Sequence, residues 1–88
     1  MIPDVPLGED VRAKVTMTGP APDGRRRLGK VGFRVDPDTF RATCSVEGTT
    51  IASAVIVGGR SFGSRGWELT MDDGSAWVVT QSGCSCGG

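Results

Sequence analysis

Apolar side chains recur at every second position along most of this chain, and that period of two restricts the fold more than any other feature. Val11, Ala13, Val15 and Met17 alternate with Arg12, Lys14 and Thr16, so one side of the stretch can face a core while the other meets water. Gly19-Pro20-Ala21-Pro22-Asp23-Gly24 stops it, because the prolines withhold backbone donors and the glycines permit a tight reversal. Arg25, Arg26 and Arg27 fall in that loop or at its exit. Val31, Phe33 and Val35 make a second strand, and Asp36-Pro37-Asp38-Thr39 has the residues of a tight turn. Phe40, Ala42, Cys44 and Val46 then alternate with polar neighbours, so the second and third strands form a hairpin.

Beyond the turn at Glu47-Gly48-Thr49-Thr50, the run from Ile51 to Val57 is apolar on both faces and rich in β-branched residues. It reads as a strand covered on each side or meeting a partner chain. Gly58 to Gly66 reads as a flexible glycine-rich loop with Phe62 at its tip. Trp67, Leu69 and Met71 alternate, Asp72-Asp73-Gly74-Ser75 carries the Asp-Gly hairpin signal, and Ala76 to Thr80 runs back. The expected fold is all-β: a single small barrel or sandwich of about six antiparallel strands, five to seven residues each, with an extended N-terminal arm. Residues 1–10, with Pro3, Pro6 and Gly8, form the arm outside the β domain. Residues 11–80 form the domain, and residues 81–88 a Cys/Gly-rich tail.

With 88 residues there is one small core and no room for a second domain. The chain contains no histidine, so triads and histidine-based metal sites are excluded. The paired acids Asp36/Asp38 and Asp72/Asp73 sit in turns whose geometry already explains them, and no nucleophile, base and orienting group come together. An enzyme is not expected, nor is a cofactor. The glycine-rich loop lacks the Gly-Lys-Ser/Thr ending and the following helix of a phosphate loop.

Three cysteines, an odd number, argue against a closed disulfide framework and fit a reducing compartment. Cys44 shares the parity of its apolar neighbours and belongs to the core. Cys84 and Cys86, two residues apart, could supply half of a thiolate metal site, with the remainder from Cys44 or a second chain, or could enter a disulfide. No complete ligand set accompanies them.

The formal net charge is zero, but its layout is uneven. Residues 11–34 carry seven bases against the single acid Asp23, whereas acids predominate on both flanks. Such a chain suits docking against copies of itself or a mixed-charge partner better than coating nucleic acid. Arg12, Lys14, Lys30 and Arg34 share the solvent face by strand parity, which makes a basic patch, or simple protection of edge strands, geometrically possible. No apolar run reaches the roughly 18 residues of a membrane helix, and the first residues lack the layout of a secretion signal, so a soluble protein made in the cytoplasm is expected, without a membrane partner.

The segment Trp67 to Val79, followed by Ser82-Gly83-Cys84-Ser85-Cys86, resembles the ends of small proteins encoded by actinobacterial phages. The likeness covers about 20 of the 88 residues, and its specific part is the five-residue thiol segment. Eight arginines against two lysines agree with a high-GC host. Together with the arm, the uneven charge, the doubly apolar fourth strand and Phe62, this points to a non-enzymatic structural protein of the virion. A minor capsid, decoration or head–tail joining subunit would act by contact with other virion proteins, as a homo-oligomer or part of a symmetric assembly. The candidate interface residues are Arg25, Arg26, Arg27, Arg60, Phe62 and Arg65. The alternative is a small regulatory module that meets a host protein or nucleic acid through the basic segment 11–34; nucleic acid is possible but not favoured.

Overall fold

A computed structural model describes residues 3–21, 24–63 and 65–81. Six antiparallel strands follow one another around a closed barrel: β1 (Val11–Thr18), β2 (Arg25–Val35), β3 (Arg41–Val46), β4 (Thr49–Gly63), β5 (Gly66–Met71) and β6 (Ala76–Gln81). β6 closes the ring on β1, with Val79 beside Val15 and Trp77 beside Met17. The alternation seen in the sequence is the alternation of the wall. Ala13, Val15 and Met17 of β1, and Trp67, Leu69 and Met71 of β5, are all buried. Burying one such large side chain contributes about 1.5–3 kcal/mol, and the barrel's interior is filled with them.

Three turns have local causes. Asp36 accepts the backbone N–H of Asp38 at 2.8 Å, and the Phe40 N–H returns to the Asp36 carbonyl at 2.8 Å. Phe40 therefore ends the β2–β3 turn at φ 60° and lies half-buried against the core instead of opening β3. Glu47 and Gly48, at φ 50° and 81°, make the two-residue reversal whose twist suits a hairpin. In the β5–β6 turn Asp73 Oδ1 accepts both the N–H (2.8 Å) and the hydroxyl of Ser75, the one buried polar residue among those described.

Two strands are longer than their pattern predicts. β2 has 11 residues and starts at Arg25, while β4 has 15 and takes in Gly58–Gly63, so this glycine-rich segment is strand and not flexible loop. β4 hands over from one neighbour to another midway. Its first half pairs with β3 up to Val55, opposite Arg41, and its second half pairs with β5 from Ile56, opposite Met71. Asp72 joins the two regions, donating its N–H to the Val55 carbonyl (2.9 Å) while its carboxylate accepts the Val55 N–H (3.4 Å). The outer face of β4 is not covered among the described residues: Val57 is 56% exposed.

Residues 3–10 contain neither helix nor strand. The sequence sets this segment outside the β domain, yet Val5 is only 4% exposed and belongs to the core cluster. Trp67 Nε1 donates to the Asp4 carbonyl at 3.0 Å, and Gly8 N–H to the Val35 carbonyl at 2.8 Å, fastening the segment to one pole. That pole, with the β2–β3 turn, is the base. The opposite pole, where the β1–β2 and β5–β6 turns meet, is the mouth.

Candidate interaction surface

The mouth is lined by the adjoining ends of β1 and β2 with the turn between them, by β4, and by β6 with the β5–β6 turn. A register shift between Lys14 and Val15 moves the β2 partner from Lys30 to Leu28, leaving Gly29 as the extra residue. Parity reverses at that bulge. Val31, Phe33 and Val35 face the core on one side of it; Leu28 and Arg26 face inward on the other. Arg26 stands opposite Met17, itself opposite Trp77, and these three side chains share the inner face of adjacent strands. Together with Gly19, Gly24, Ala52, Ser53, Asp73 and Ser75 they line an open cleft of about 310 Å³.

The three consecutive arginines are thus not one cluster. Arg26 enters the mouth, whereas Arg25 and Arg27 lie on the outer face with Lys14 and Lys30. Among the described residues, the arginine side chains with a hydrogen-bond partner are Arg41, which donates to Ser53 Oγ (3.1 Å), and Arg60, which donates to Glu68 (2.6 Å). The Arg26 charge reaches inward as far as Cys44. Burial pushes that thiol up to about 11, and the guanidinium acts against the shift.

β2 also overhangs its neighbour. It pairs with β3 only through Gly32–Val35, so from Arg25 to Val31 its edge away from β1 has no strand beside it among the described residues. Such an edge carries a row of backbone donors and acceptors ready for another chain. The overhang is what the sequence hides: Arg25 to Leu28 has no apolar alternation to mark it as strand, and the bulge that sorts its side chains is a single glycine.

Arg60, Phe62 and Arg65 belong to the other pole. Arg60 is paired with Glu68 directly across β4 and β5, a pair 79% and 44% exposed, and the bond to the carboxylate raises its already high pKa. Exposed pairs of this kind add little to stability. Phe62 lies at the end of β4, 53% exposed, with its ring over the Cα of Gly66, where any side chain would strike it. Arg65 sits in the β4–β5 turn and its carbonyl accepts the Gln81 N–H at 2.7 Å. The six expected interface residues therefore form two groups at opposite poles. Cys84 and Cys86 lie outside the described residues. Among the described residues, no three metal-ligating side chains come together.

Compared with known protein families, curated proteins and solved structures, the chain matches none.

Proposed function

We propose that the protein is a non-enzymatic structural subunit of a phage particle, a minor capsid, decoration or head–tail joining component that works by holding neighbouring subunits. The supporting observation is the distribution of side chains. The barrel's interior is filled by apolar groups, and two groups of exposed residues lie at opposite poles, Phe62 with Arg60 and Arg65 at the base and the arginines of β2 at the mouth. A rigid body with a contact at each end can join two neighbours. Mass spectrometry of purified particles from the producing cell, with cross-linking to name the neighbour, tests the reading. A chain that stays a lone monomer at micromolar concentration and is absent from particles would sink it.

A second reading is favoured by one observation: Lys14, Arg25, Arg27 and Lys30 share an outer face. A regulatory module could use it to hold a host protein or nucleic acid. Salt-dependent retention on DNA or RNA that is lost when Arg25, Arg26 and Arg27 become alanine would support this reading over the first.

A further inference from the structure

We infer that the free edge of β2 at the mouth is a receptor for an extended acidic segment of a neighbouring polypeptide, which adds to the sheet beside Arg25–Val31 and places a carboxylate on Arg26. The inference rests on the reading of the protein as a contact-forming subunit, and it names the contact.

The backbone provides the first argument. Gly24 turns its carbonyl to the Gly19 N–H (2.6 Å), so by alternation Arg26 and Leu28 direct their backbone groups to β1 while Arg25 and Arg27 direct theirs away from it. The free stretch of β2, up to Val31, is as long as an ordinary strand of about 5–6 residues.

Side chains provide the second. A strand lying along this edge would alternate its own side chains between the cleft and the outer face. On the cleft side it meets Arg26 above the apolar floor of Met17 and Trp77; on the outer side it meets Arg25, Arg27 and Lys30. Cations flank both of its faces, so an incoming strand with acids at alternate positions gains a charge-assisted bond on each. Main-chain pairing would supply affinity and the side-chain contacts selectivity.

The occupant follows from charge. A second β2 edge would set arginine against arginine, and like charges together with a bulge are how edges avoid pairing with their own copies. Edge protection, however, requires only that the edge stay empty. An acidic strand turns the same charges into attraction. Nucleic acid would use the outer cations alone and would have no use for Arg26 in the cleft or for the outward backbone groups.

The test uses the full chain and a blocked octapeptide, acetyl-Asp-Val-Asp-Thr-Asp-Val-Asp-Thr-amide, followed by amide NMR shifts and hydrogen exchange. Saturable binding is expected, with shifts at Arg25–Val31 and the Trp77 indole, and slowed exchange at the Arg25 and Arg27 amides. Affinity should fall about tenfold or more between about 50 and about 500 mM salt. Arg26→Gln, at an exposed position, should weaken binding about tenfold with an unchanged circular-dichroism spectrum. Arg27→Pro, which removes an outward N–H, should abolish the exchange protection while the rest of the spectrum stays folded.

The inference is overturned if the peptide leaves the β2 amides unshifted, or if peptides with lysine for aspartate or proline for valine bind equally well. It is also overturned if a duplex oligonucleotide displaces the peptide and shifts the outer face alone. Chain found in particles but silent toward the peptide would leave the particle reading standing and remove this one. Peptide bound by a chain absent from every particle would do the reverse.

Discussion

Lys14 and Lys30 stand directly opposite each other across β1 and β2, with both side chains exposed on the outer face. Opposed like charges on a sheet cost about 0.2–1 kcal/mol. Lys14→Thr, which keeps a good strand former, is expected to raise stability by about 0.5 kcal/mol at low salt, with the gain fading as salt is added. Urea denaturation at two ionic strengths checks this. The same substitution should weaken any anionic partner of this face, so stability and binding should move in opposite directions.

Among the described glycines, Gly59 leaves the least room between backbones. Its φ is 146°, and a side chain there would run into the Glu68 carbonyl oxygen and crowd the Leu69 Cα. Neither can yield, since both are backbone of a paired strand. Gly59→Ala should therefore cost about 1–3 kcal/mol in denaturant titrations. Gly58→Ala, one residue away with open space around it, is the control and should be nearly silent.

Cys44 is fully buried, and its thiol is held up to about 11 against 9.0 for a free one, by burial first, with Arg26 opposing. Between those two values the unfolded chain has lost the proton and the folded chain has kept it. The contribution to stability is thus complete below pH 9, declines as pH rises, and is gone above about pH 11. Denaturation midpoints measured from neutral to strongly alkaline pH should fall more steeply for the native chain than for Cys44→Ala. A thiol reagent at mildly alkaline pH should modify Cys44 only after denaturant is added.

Asp73 is held below the ordinary carboxylate value, chiefly by the Ser75 hydroxyl and then by the Ser75 N–H. Its stabilising effect is present above pH 3.8 and is lost as acid carries the pH through the lower folded value. Ser75→Ala removes the main cause, so carboxyl NMR titration should show Asp73 moving back up, and Gly19 and Trp77 signals around the cleft should report the loosened turn.

Alternation makes most of the barrel legible from sequence. Ala13, Val15 and Met17, the β5 trio and Cys44 all take the core positions their parity assigns. Legibility fails where strand identity is conferred by a neighbour. Gly58–Gly63 has no apolar period; it is strand because β5 pairs with it, with the Phe62 ring standing in for the side chain that Gly66 lacks. The sorting of Arg25, Arg26 and Arg27 fails for a different reason. Parity carried through Gly29 without the bulge assigns each of them to the wrong face. Val5 is one apolar residue among prolines and acids, and its burial depends on an indole 62 positions away that holds the preceding carbonyl.

Ala13 lies beside Gln81 where the ring closes, so β1 begins and β6 ends side by side, away from the mouth. A fluorescent label or affinity handle attached at that seam would sit at the base and leave the opposite opening unobstructed. An immobilised chain would therefore hold that opening outward, the orientation needed to fish for whatever docks there.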